Sequence, residues 1–222
     1  MKKYYEAYDE RYKIVHKKGI SWLSEIPTPI VLDVLNRYNI SKSSSILEIG
    51  CGEGRDAKHV LEHGFHLLAT DISKEAIDYC RRMIKNDPCI FKVMDCLSQD
   101  MDCDYDMIYS VAVIHMLVLD EDRQRFYQFI NKHLKKDGYA LICTMGDGTK
   151  EFQIDISTAF DLQERDTKIG KIKVTGTSCR MVSFGTFEKE LRNHYFKIVE
   201  KGITTSLPDF YELMYVVIKR ED

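Results

Sequence analysis

At 222 residues, with 44% apolar and 30% charged side chains, the chain has the composition of an ordinary globular protein large enough for a substantial core. A formal net charge of -3 makes no electrostatic case for a nucleic-acid surface, and no apolar run approaches the ~20 residues of a membrane-spanning helix. Seven cysteines without a C-x-x-C pair, behind an N-terminus (Met1-Lys2-Lys3-Tyr4-Tyr5-Glu6) with no apolar signal core, lead us to expect a cytoplasmic protein with reduced thiols and no cysteine zinc site.

Tyr4, Tyr5, Tyr8 and Tyr12 recur at near-helical spacing. They predict an amphipathic helix that either packs its rings on the domain or caps a pocket, and Tyr5 and Tyr12 are candidates for substrate contact. Pro27-Thr28-Pro29 opens a second helix with Ile30, Val31, Val34, Leu35 and Tyr38 inward, and Ser41-Lys42-Ser43-Ser44 is a polar loop. Ser45-Ile46-Leu47-Glu48-Ile49 then reads as a strand that runs into glycines at 50, 52 and 54. Glycine permits positive φ and close approach of a ligand, and the helix that follows offers free N–H groups, so the loop is a cradle for an anionic or zwitterionic cofactor. That helix carries Ala57, Val60 and Leu61 and ends at Gly64. Within it, His59-Val60-Leu61-Glu62-His63 spells a zinc-peptidase pattern, but the helix belongs to the glycine loop and no metal is expected.

Leu67-Leu68-Ala69-Thr70-Asp71 predicts the second strand, with Asp71 at its tip where a doubly wound sheet holds a ribose diol. Ser73 is a natural N-cap for a helix with Ala76, Ile77, Cys80, Met83 and Ile84 on its core stripe, stopped by Asn86-Asp87-Pro88. A third strand is expected over Cys89–Met94 with Asp95-Cys96 at its tip, and a fourth over Tyr105–Val111 running on through Ala112–His115. Asp120–Lys136 predicts a helix with Phe126, Phe129, Ile130 and Leu134 inward. Lys135-Lys136-Asp137-Gly138 forms the turn into a fifth strand, Tyr139–Thr144. Residues 146–182 are the least regular, with a hairpin expected about Thr175-Gly176. This excursion covers a substrate or serves as an interface arm, and Arg180 is its candidate for an anionic substrate group or else a surface arginine. Thr186 is the expected cap of a last helix, before strands at Tyr195–Glu200 and Tyr211–Lys219.

Glu48-Ile49-Gly50-Cys51-Gly52-Glu53-Gly54 resembles the first motif of the class I S-adenosylmethionine-dependent methyltransferases, an acidic residue followed by G-x-G-x-G. It does not fit the dinucleotide pattern of nicotinamide enzymes, because Arg55 stands where the third glycine would fall. The resemblance extends over roughly residues 45–145. It implies an α/β, Rossmann-like, seven-stranded and mostly parallel sheet with an antiparallel final strand and helices on both faces. The expected organisation is one domain over 1–222: a helical cap (1–40), a cofactor-binding core (45–145), a substrate-covering excursion (146–185) and a C-terminal helix and strand pair (186–222).

The cofactor so implied is S-adenosylmethionine, contacted by Glu48, Gly50, Cys51, Gly52, Gly54, Arg55, Asp71, Ile72, Asp95, Cys96 and Ser110. Asp95 would accept from the adenine amino group and the Cys96 N–H would meet a ring nitrogen. His115 is the candidate catalytic base, with a satisfied pocket histidine as its equal alternative. The fourth strand is followed by no N-P-P-Y, and Pro88-Cys89 falls before the third strand rather than at the Pro-Cys position of the cytosine C5 enzymes. A small-molecule acceptor is therefore expected, with no nucleic-acid or membrane partner, in a monomer or homodimer. Gly54-Arg55-Asp56-Ala57 and Val113-Ile114-His115-Met116-Leu117 loosely resemble tellurite-resistance and thiopurine-type methyltransferases. The second reading is a catalytically silent cofactor-binding protein whose excursion and N-terminal helix meet a protein partner.

Overall fold

The computed structural model describes residues 2–85, 87, 90–206, 208 and 210–221. A short turn (Tyr4–Glu6) leads into α1 (Ala7–Lys17), then α2 (Pro29–Arg37), β1 (Ile46–Ile49), α3 (Arg55–Glu62), β2 (Leu67–Asp71) and α4 (Lys74–Met83). β3 (Phe91–Val93), β4 (Tyr105–Val111), α5 (Asp120–His133) and β5 (Leu134–Met145) follow. Beyond them come β6 (Phe152–Gln153), β7 (Leu162–Thr167), β8 (Gly170–Thr175), β9 (Arg180–Met181), α6 (Phe184–Asn193), β10 (Phe196–Ser206) and β11 (Phe210–Arg220).

Seven strands pair in the order β10-β11-β5-β4-β1-β2-β3, and β11 runs antiparallel to both its neighbours. Strand alternation buries both faces. On β5, Ala140 and Ile142 join a core with Phe126 and Ile130 of α5 and Phe187 and Leu191 of α6. Leu141 and Cys143 turn to the other side, toward Ile30 and Val34 of α2, Val60 of α3 and Ile77 of α4. The pattern is that of a sheet covered by helices on both faces. β1 has β2 on one side and β4 on the other, so the connections diverge there and leave a crevice at the carboxyl ends of the strands.

Four local expectations are corrected. The fourth strand stops at Val111, because Ala112 takes a left-handed φ of 58° and Ile114–Met116 coil into a tight turn. The fifth strand begins at Leu134: Leu134 pairs Tyr105 and Tyr139 pairs Met107, so residues 135–138 bulge from one continuous strand instead of forming a separate turn. The hairpin is β7–β8 and turns at 168–169, with Gly170 at φ 97°; Gly176 lies against the Asp161 carbonyl, 2.9 Å from where a Cβ would stand. The α6 cap is Ser183, whose hydroxyl accepts the Thr186 N–H, not Thr186 itself. Ser73 caps α4 as expected, accepting from the Ala76 N–H at 3.1 Å. Asn86, Pro88 and Cys89, which carry the expected helix stop, the Pro-Cys turn and the start of the third strand, lie outside the described residues.

Candidate cofactor and substrate cavity

The glycine loop opens a cavity of ≈ 700 Å³ at this crevice. The Gly50 and Cys51 N–H groups both donate to the Thr70 carbonyl, at 2.8 and 2.9 Å, and tie the loop to β2. The Gly52 N–H donates to Asp71 Oδ2 at 2.8 Å, and the Ser73 N–H to Asp71 Oδ1 at 2.8 Å. Gly50 and Gly52 adopt φ of 75° and 54° on the cavity wall. A Cβ on Gly50 would stand 2.2 Å from Val113 Cγ2, and one on Gly52 2.8 Å from the Tyr12 hydroxyl. Only a residue without a side chain leaves this space open. Gly54 serves packing instead. It is absent from the wall, and its missing Cβ makes room for Cys80 Sγ and Ile84 of the α4 region.

Glu48, Asp56, Asp71 and Asp95 bring carboxyl groups to the wall. Burial, reinforced by nearby Asp56 and only partly opposed by the Tyr109 hydroxyl, pushes the Glu48 carboxyl well above the usual range, and neither its Oε2 nor the Tyr109 hydroxyl makes a hydrogen bond of good geometry among the described residues. Asp56 is committed to the Thr28 N–H at 2.6 Å and its hydroxyl at 3.0 Å. Asp71 is raised to about 6, because burial outweighs its two backbone N–H bonds. Asp95 is held below the ordinary value: burial would raise it, but Lys3 Nζ at 2.6 Å and the Ser98 hydroxyl at 2.7 Å prevail.

The N-terminal segment forms the opposite wall. Tyr5, Tyr8 and Tyr12 reach the cavity with Ser21, Trp22, Leu23 and Ser24. The β7–β8 hairpin packs Ile172 and Val174 on Val15 of α1, and its tip, Arg165 to Lys168, borders the same space. Arg11 fastens the hairpin to the helix, donating to the Thr175 carbonyl at 2.9 Å.

Thus Glu48, Gly50, Cys51, Gly52, Arg55, Asp71, Ile72, Asp95 and Cys96 meet on one cavity with Tyr5 and Tyr12. Ser110, His115 and Arg180 are not on its wall. The Ser110 hydroxyl is buried between strands, donating to the Ile49 carbonyl at 3.0 Å. His115 is turned into the protein behind the wall residue Phe210, with ring centres 5.9 Å apart, and burial lowers it to about 4. Arg180 donates to the Val118 carbonyl at 2.9 Å and to Asp120 at 2.5 Å. Trp22, Leu23 and Phe210 are wall residues that no motif marks, since apolar side chains near a turn carry no local signature. Tyr8 reaches the wall as well, and its place in the recurring tyrosine stripe is the signal that could have found it.

Residues 47–140 match the family described as "Methyltransferase domain". A ubiquinone biosynthesis O-methyltransferase of Rickettsia conorii is 25% identical over 150 residues, 67% of this chain and 50% of that protein, so the chain spans about half the length of the curated relative it matches. The structure of a 1,6-didemethyltoxoflavin-N1-methyltransferase of Burkholderia thailandensis, with 1,6-didemethyltoxoflavin and S-adenosylhomocysteine bound, superposes with a TM-score of 0.71. It shares 15% identity and covers 100% of this chain and 92% of its own. An S-adenosylmethionine-dependent methyltransferase of Clostridium acetobutylicum gives 0.68 at 13% identity, over 98% and 99% of the two chains. Residues 47–140 are thus similar to a methyltransferase domain, and the chain as a whole shares the fold of S-adenosylmethionine-dependent methyltransferase structures.

Proposed function

We propose that the chain binds S-adenosylmethionine in the cavity under α1 and transfers its methyl group to a small-molecule nucleophile. The observation that carries this reading is Glu48, a residue of the cavity wall whose buried Oε2, with the Tyr109 hydroxyl nearby, makes no hydrogen bond of good geometry among the described residues. Leaving such an atom unsatisfied costs about 1–3 kcal/mol. A ligand ammonium would satisfy it and draw the carboxyl back toward its charged form. The space kept open at Gly50 and Gly52 admits a chain beside it, and Asp71 retains lone pairs for a diol beyond its two N–H bonds. Asp95 Oδ1 takes one N–H, from Leu97 at 2.9 Å, and keeps capacity for an amino group. The residues present therefore fit the group.

When bound, the donor supplies a methyl already activated on a cationic sulfur. The protein's work is then to hold and to shield. Gly50, Gly52 and Asp71 orient one partner, while Val113, Met116, Leu117 and Phe210 form apolar walls that exclude water from the transfer. At ≈ 700 Å³ the cavity falls within the ~300–1,000 Å³ of ligand clefts and suits a small acceptor. Calorimetry with S-adenosylmethionine and S-adenosylhomocysteine tests the donor site: binding with micromolar affinity is expected, and no heat at millimolar ligand would overturn the reading. A panel of thiols, phenols, amines and heterocycles, followed by release of S-adenosylhomocysteine, tests the transfer.

A further inference from the structure

We propose that His16 is a positioning residue for this site: bonded to one carboxylate on the glycine loop and another on α4, it clamps α1 and residues 20–24 over the donor cavity. The inference rests on the cavity being the donor site. His16 Nε2 lies 2.8 Å from Glu53 Oε1, and Nδ1 lies 2.8 Å from Glu75 Oε1. Carboxylates only accept, so both contacts are hydrogen bonds only when both ring nitrogens carry protons. The ring is stacked 4.5 Å from Tyr79, and its side chain is 8% exposed.

Glu53 makes the contact consequential. It stands between Gly52 and Gly54, and the same carboxylate accepts the Trp22 and Leu23 N–H groups, each at 2.7 Å. One acidic group thus ties the loop to two stretches of the opposite wall. A second tie runs alongside: Asp9 of α1 accepts the Ser73 hydroxyl at 2.7 Å and the Glu75 N–H at 3.2 Å at the start of α4. Tyr8 and Tyr12, on the clamped helix, and Trp22 and Leu23, on the clamped segment, line the cavity.

The groups facing His16 are Glu53 from the loop, Glu75 and Tyr79 from α4, and Tyr12 from α1; Arg82 lies 3.7 Å from Glu75 and Glu25 acts on Tyr79. Burial alone would depress the imidazole, but the Glu53 and Glu75 bonds outweigh it and hold it above its ordinary value. The sign follows: the clamp is complete below about 6.5, the unfolded value, and is lost as pH rises through the higher folded value. A neutral ring keeps one donor and turns a lone pair on the other carboxylate.

The test is S-adenosylhomocysteine affinity by calorimetry from pH 7.0 to 9.5, a range in which Asp71 stays ionised. Wild-type affinity is expected to fall about tenfold across the range, the equivalent of one unit of pKa difference between open and closed forms. His16→Gln is expected to bind about tenfold more weakly at pH 7.0 and to show no such fall. Should the variant not fold, the proton resonances of His16 in the wild type, titrated with and without S-adenosylhomocysteine, give the same answer: the ligand is expected to raise the titration midpoint. A flat wild-type profile, an unchanged slope in His16→Gln, or one midpoint with and without ligand would overturn the clamp and leave the donor site standing. No binding at any pH would overturn both.

Discussion

The Gly52 N–H and the Asp71 carboxylate, 2.8 Å apart, join the glycine loop to the tip of β2. Asp71 therefore shapes the loop, and in the proposed donor site its remaining lone pairs would meet a diol. Removing it costs charged hydrogen bonds worth about 1.5–3 kcal/mol each. Asp71→Ala is expected to weaken S-adenosylhomocysteine about 100-fold, the factor that corresponds to ~3 kcal/mol. Calorimetry on the folded variant checks this.

The same carboxyl makes affinity and stability respond to acid in opposite directions. Its pKa is raised in the folded state to about 6, so between that value and the unfolded 3.8 the folded form takes up the proton more readily. Its contribution to folding stability therefore improves as pH falls through 6, whereas donor affinity declines because a protonated carboxyl has lost an acceptor. Binding and melting measured from pH 7 to 5 should diverge in the wild type, and the divergence should vanish in Asp71→Asn.

Gly52 and Gly54 should separate function from packing. Both hold left-handed φ, of 54° and 78°, which costs a Cβ-bearing residue about 1–2 kcal/mol. In Gly54→Ala the new methyl meets Ile84 Cδ1 at 2.6 Å and Cys80 Sγ at 2.8 Å. Overpacking of that kind adds about 1–3 kcal/mol, so urea unfolding should show a loss of about 2–5 kcal/mol with donor affinity changed only a few-fold. Gly52→Ala meets the end of the Tyr12 side chain at 2.8 Å inside the cavity. Its larger effect is expected on affinity, at least about tenfold, or ~1.4 kcal/mol.

His115 and Arg180, away from the wall, should matter little to turnover. Lowered to about 4 by burial first and by the Arg123 charge second, His115 is neutral at pH 7. His115→Gln is expected to leave kcat/KM within about threefold (~0.65 kcal/mol) and the pH–rate profile unshifted. Arg180→Ala loses its bonds to Asp120 and Val118 and should lower the melting temperature without raising KM for the acceptor. Steady-state rates with whichever acceptor the panel identifies decide both.

A buried network beside this region should dominate stability. Arg123 spans both oxygens of Glu190, at 2.9 and 2.6 Å, and donates to the Ile114 carbonyl at 2.9 Å; Tyr127 donates to Glu190 at 2.7 Å. Arg123→Met removes the paired guanidinium of Glu190, leaving it only the more distant Arg180 at 3.8 Å and the Tyr127 hydroxyl, and is expected to cost about 3 kcal/mol in urea unfolding. Arg123→Met with Glu190→Leu should recover much of that loss.

What was legible in the sequence was local. Short continuous apolar runs in β1 and β5, the Ser73 cap and glycines at 50 and 52 are each features of a few neighbouring residues, and they located the sheet, the loop and Asp71. Partners distant along the chain decided the rest. Arg180 resembles a free cation until Asp120, 60 residues away, pairs with it, and Ser110 resembles a site residue until its hydroxyl donates to the Ile49 carbonyl. Gly170 and Gly176 are equal turn candidates by residue type, and only packing of Gly176 against Asp161 assigns the turn to Gly170. The union of His16 with Glu53 spans 37 residues of chain and leaves no periodicity to read. Sequence pattern records where a backbone turns and which side it buries; it does not record which charges meet, because that follows from how separately formed elements pack.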